Sequence, residues 1–152
     1  MTTEKRGLWV ALVALFILAW TAGAHAHCEI PCGIYGDEMR VSMMEEDITT
    51  VEKSMKEIIE LQKQSPINYN QLVRWIMNKE NHADKIQEVV AQYFMTQRIK
   101  PEGDNYVEKL TLLHKMLLQA MLCKQTTDLS HVNELRSLLQ QFSKLYFEHS
   151  HQ

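Results

Sequence analysis

Alternating apolar and polar runs of the kind a half-buried strand needs are almost absent from this 152-residue chain, and glycine is scarce. Only Gly33, Gly36 and Gly103 lie beyond residue 26. A sheet-based fold is therefore excluded. There is no internal repeat, no low-complexity tract and no arginine- or lysine-rich block, and the overall charge is slightly negative, which argues against nucleic acid as a partner. The three prolines, Pro31, Pro66 and Pro101, fall where the apolar patterns stop. The three cysteines, Cys28, Cys32 and Cys123, form neither the C-x-x-C of thioredoxin-type redox sites nor the C-x-x-C-H of haem attachment.

What the chain does contain is helical periodicity. Val41, Met44, Ile48, Val51, Met55 and Ile58 recur at spacings of three and four, one stripe on a helix of about six turns, with Asp37 and Glu38 at its start to complement the helix dipole. Ser65-Pro66 interrupts it. Asn68 caps a second helix carrying Leu72, Trp75, Ile76, Ala83, Ile86, Val90, Tyr93 and Phe94, which either runs through or breaks near Asn78 to Asn81, where apolar residues thin out. The loop at Pro101-Glu102-Gly103-Asp104 precedes a third stripe, Tyr106, Leu110, Leu113, Leu117 and Ala120. A fourth follows in Val132, Leu135, Leu139, Phe142 and Tyr146. The predicted fold class is all-α, an antiparallel up-and-down four-helix bundle over residues 36–152. Met43, Met44, Met55, Met77, Met95, Met116 and Met121 are expected mostly to fill its core, and Cys123 to be a buried free thiol.

Residues 1–26 have the pattern of a secretory signal: Lys5-Arg6, an apolar run from Leu8 to Trp20, and Ala24-His25-Ala26 as an A-x-A cleavage site. The protein is therefore expected to be exported to a periplasmic, extracellular or lumenal space. The other reading is an uncleaved anchor, since the uncharged run from Gly7 to Ala24 is about 18 residues, near the lower limit for a spanning helix. Cleavage after Ala26 leaves 126 of the 152 residues; without Glu4, Lys5 and Arg6 the 16 basic and 19 acidic residues become 14 and 18, a net charge of −4. A small anionic substrate would then need a local positive field.

The same cut makes His27 the first residue of His27-Cys28-Glu29-Ile30-Pro31-Cys32-Gly33-Ile34-Tyr35. Its free amine and the Cys28 backbone nitrogen close a five-membered ring on a metal, and the Cys28 thiolate closes a second, fused to the first. A turn at Ile30-Pro31 brings the Cys32 thiolate to the fourth in-plane position, and the His27 imidazole is tethered to bind from above. Zinc prefers tetrahedral sites, whereas a plane of nitrogen and sulfur donors suits Ni(II) or Cu(II). Thiolates reduce Cu(II) but stabilise Ni(III) by donating charge, so nickel is the expected metal. In an oxidising compartment the alternative is a Cys28–Cys32 disulfide, a weak staple across so short a loop.

His-Cys-x-x-Pro-Cys-Gly-x-Tyr at a processed N-terminus resembles the nickel hook of nickel-containing superoxide dismutase, with matches at His27, Cys28, Pro31, Cys32, Gly33 and Tyr35. The resemblance implies a hook over residues 27–35, one nickel ion per subunit, superoxide as substrate, a maturation peptidase and a homohexamer of four-helix bundles. It makes the His27 amine and imidazole, the Cys28 amide nitrogen and thiolate, and the Cys32 thiolate the nickel ligands, and it places Tyr35 at the open face of the metal, ordering water or superoxide. Tyr35 packed at the start of the bundle is the other reading. Glu29 stands where some relatives have Asp, and Tyr93 corresponds to a second pocket tyrosine or to a core residue. Some members steady the axial imidazole with a Glu on the first helix and an Arg on the second; here Glu45 or Glu46 answers to the first, while the second helix offers Lys79-Glu80-Asn81-His82. The competing function is an exported helical metal-binding or interaction protein without turnover.

Overall fold

The computed structural model describes residues 36–148, together with Trp9 and Val13. The candidate ligands His27, Cys28 and Cys32, and Tyr35 with them, lie outside the described residues, as does the proposed cleavage site. Four helices follow in order: α1 over Asp37–Gln62, α2 over Tyr69–Glu88, α3 over Tyr106–Gln125 and α4 over Leu129–Phe147, with no strand among the described residues. Each helix packs against its neighbours in sequence, and α4 returns to α1, which closes the ring. The connections at 63–68, 99–105 and 126–128 are short, so consecutive helices run antiparallel.

The stripes become the core. Met44, Ile48, Val51, Met55 and Ile58 of α1 are buried, with Ala83 and Ile86 of α2, Leu113, Met116 and Ala120 of α3, and Val132, Leu135, Leu139 and Phe142 of α4. Cys123 is buried among them as a free thiol, as expected. Local signals set the ends of the helices. The Asn68 side chain accepts from the Gln71 amide (3.2 Å) and that of Asp128 from the Ser130 amide (2.9 Å). Asn105 precedes α3 with a positive φ of 54°, a conformation that asparagine tolerates better than most residues.

Of the two courses open to the second helix, it runs through Asn78 to Asn81 without a break. Lys79 takes the inward place that the apolar pattern leaves empty, only 4% exposed, and its Nζ donates to the carbonyls of Cys123 (2.8 Å) and Lys124 at the end of α3 and to Glu80 Oε1 (2.9 Å). These last carbonyls of a helix have no partner within it, and a cation there also complements the dipole. Replacing Lys79 with methionine, which keeps the stem and removes the donor, is expected to lower stability by about 1–3 kcal/mol, read from the urea midpoint, because the carbonyls stay buried without a partner. Ile76 is exposed; of the methionines, Met44, Met55 and Met116 fill the core and Met95 packs against it, as expected for most of them, while Met43, Met77 and Met121 face solvent.

A further correction lies beyond Glu88, where the α-helical ladder gives way to ten residues of π-helix, Val89–Arg98. The i→i+5 step shows in the Ile99 amide donating to the Phe94 carbonyl (2.9 Å). It also changes which residues share a face: Val89, Phe94 and Ile99, five apart, are all buried, and Arg98 comes to lie against Tyr93.

Candidate functional site at the head of the bundle

Antiparallel packing places the start of α1, the end of the π-helical segment and the end of α4 at one end of the bundle, which is the end where residues 27–35 join it. The side chains there converge on one carboxylate. Asp37 Oδ1 accepts from Tyr93 Oη (2.5 Å) and Arg98 Nε (2.8 Å), and Oδ2 accepts from Tyr146 Oη (2.7 Å). Arg98 Nη2 also donates to Tyr93 Oη (2.8 Å), and the guanidinium carbons of Arg98 and Arg40 lie 4.7 and 4.8 Å from the centre of the Tyr93 ring.

The charge states follow from these contacts. Burial opposes ionisation of Asp37, but the hydrogen bonds from Tyr146, Tyr93 and Arg98, with the Arg98 charge, outweigh it and hold the carboxyl below the usual range. Burial, reinforced by donation to an anion, pushes both tyrosine hydroxyls up, so they stay protonated donors. Arg98 is held all the more firmly charged by its bond to Tyr93 and, against some burial, by Asp37. Beneath this polar layer Phe94 meets Tyr93, Phe142 and Tyr146 edge-on, with ring centres 5.2, 4.9 and 5.5 Å away.

Of the two readings of Tyr93, the core role is seen: the ring is buried, and its hydroxyl donates to Asp37. Glu45 is engaged elsewhere, by Arg136 of α4, which also donates to Glu52 (2.7 Å). Glu46 is exposed. His82 is not a lone histidine, since its Nδ1 lies 2.5 Å from Asp47 Oδ1, but Asp47 is ten residues along α1 from Asp37, about 15 Å by helix rise. Nor do the described residues build a one-sign field: Arg40, Arg98 and Lys109 share this end with Asp37, Glu38 and Glu108. Among the described residues no group of three or more His, Cys, Asp or Glu side chains could hold a metal.

On sequence alone Asp37 reads as a helix-start charge and Tyr146 as a stripe residue. A signal was present: tyrosine rather than phenylalanine at two inward positions near helix ends implies a hydroxyl that needs a partner.

The model of the family described as nickel-containing superoxide dismutase matches residues 22–150. The chain belongs to that family. No curated protein and no solved structure matches it. The enzyme is accordingly a superoxide dismutase, an oxidoreductase whose family is defined by nickel, built on a four-helix bundle.

Proposed function

We propose that the enzyme disproportionates superoxide to oxygen and hydrogen peroxide at a hook formed by residues 27–35 after export and cleavage following Ala26. One observation carries the reading: an A-x-A site ends immediately before His27-Cys28-x-x-Pro-Cys32, inside the stretch that matches the family. The donors fit nickel. Cys123, the remaining thiol, is fully buried and is pushed up to about 11 by burial despite the nearby Lys79 charge, which leaves Cys28 and Cys32 as the available thiolates. With the His27 amine and imidazole and the Cys28 amide nitrogen they make a nitrogen–sulfur set for one nickel ion per subunit.

Nickel held by the His27 amine and imidazole, the Cys28 amide nitrogen and thiolate and the Cys32 thiolate would supply a one-electron Ni(III)/Ni(II) couple, through which one superoxide would be oxidised to oxygen and a second reduced, with two protons, to hydrogen peroxide. The chain's own part is to present that ion at an accessible chain end, to free the His27 amine through the maturation peptidase, and to set Tyr35 where it orders water or superoxide. Subunits assemble as a homohexamer in this reading, a reading supported by the exposed apolar side chains Tyr69, Val73, Ile76 and Met77 along α2. Membership of an enzyme family favours turnover over simple metal carriage.

Intact mass, metal content and paramagnetic resonance of the exported protein test the proposal together. The expected result is a chain beginning at His27 with one nickel, a Ni(III) paramagnetic signal with nitrogen coupling and rapid superoxide consumption. An active protein that still carries Ala26 would overturn it.

A further inference from the structure

We infer that Asp37 is a positioning residue for the metal hook, the point at which the root of the hook is clamped to the bundle; this rests on the reading of residues 27–35 as the nickel site. Asp37 stands two residues after Tyr35 and five after Cys32, so the direction in which the chain leaves α1 bears on both. Apolar packing fixes that direction only in part, through Val41, which lies part-buried against the core. Gly36 and Glu38 are exposed, Met39 and Met43 are 51% and 41% exposed, and the first fully buried side chain of α1 is Met44, two turns in. A first turn so poorly packed frays unless something else holds it.

The Asp37 carboxylate holds it from two directions. Tyr93 and Arg98 come from the π-helical segment and Tyr146 from the last turn of α4, so three elements meet at one side chain and both of its oxygens are used. A charge serving only the helix dipole would need no such partners; the exposed Glu38, also in the first turn, supplies that role. The i→i+5 step explains how the clamp is built: it sets Arg98 against Tyr93, so that the two donors reach the same oxygen. Groups that orient a metal-binding element without touching the metal govern how tightly and in what geometry the metal is held.

The test uses the nickel-loaded enzyme. Asp37→Asn keeps the size and removes the charge, and Tyr146→Phe keeps the packed ring and removes one donor. Both are expected to fold and take up nickel, to lose it to a chelator about tenfold faster than the parent, and to show a broadened Ni(III) signal. Glu38→Gln is expected to match the parent in release rate and signal. Unchanged release and signal in both Asp37→Asn and Tyr146→Phe, or equal acceleration in Glu38→Gln, would overturn the inference. Should Asp37→Asn not fold, Tyr146→Phe decides alone. A parent protein that binds no nickel refutes the hook reading itself, which separates the two failures.

Discussion

Serine in place of Cys28 or Cys32 is expected to abolish superoxide consumption, whereas alanine in place of Cys123 leaves the rate per bound nickel unchanged. Partners that merely orient a ligand are each worth about 10–100-fold in metal affinity or activity, so removing a ligand costs more than that. A serine hydroxyl would be too weak an acid to replace a thiolate donor, and it would give up the electron donation that favours a Ni(III)/Ni(II) couple. Cys123 differs in every respect that matters. It has no exposure, its thiol is pushed up to about 11 by burial, and its surroundings are the apolar interior of the bundle. Its loss is a packing loss of about 1 kcal/mol. Nickel analysis and a superoxide assay on the three purified variants decide the matter: substantial nickel-dependent activity in Cys28→Ser or Cys32→Ser would contradict the proposed ligand set.

The same contrast shows how much of the molecule could be read from its sequence. The stripe of α1 could be read to the residue, because a helix that buries one face repeats its apolar residues at three and four, and Met44 through Ile58 do so without interruption. The stripe of α2 misled where a charged residue holds an inward position: Lys79 looks like a break in the pattern until the end of α3 is known to lie against the middle of α2, and only then do the carbonyls of Cys123 and Lys124 become its partners. The π-helical segment was invisible for a different reason. A change from i→i+4 to i→i+5 alters which residues share a face without changing composition, and Val89-Val90 and Tyr93-Phe94 read equally well as α-helix. The Asp37 cluster needed topology as well, since its members lie as far apart as residues 37 and 146. The hook is the converse case. Its proposed ligands are neighbours in sequence, so bond counting along the chain is enough to propose a metal and its donors without any tertiary contact.

Truncation of Phe94 to alanine is expected to remove about 3–5 kcal/mol of stability, a large part of the about 5–15 kcal/mol of a typical domain. Phe94 has no exposure and lies edge-on to Tyr93, Phe142 and Tyr146 at once, while its carbonyl accepts from the Ile99 amide where the π-helical segment ends. Its removal therefore opens a cavity directly beneath the two tyrosines that hold Asp37. The wall cannot close easily, because Tyr93 and Tyr146 are tied from above by their hydroxyls. Urea denaturation measures the loss, and a cost below about 1 kcal/mol would show that the head of the bundle collapses onto the cavity without strain. Metal retention separates this effect from that of the clamp. In Phe94→Ala the rate of nickel loss should rise with the unfolded fraction and return toward the parent value when a stabilising osmolyte such as sucrose is added. In Asp37→Asn it should stay fast in a protein that is fully folded, because the bundle is intact and only the hold on the hook's root has been weakened.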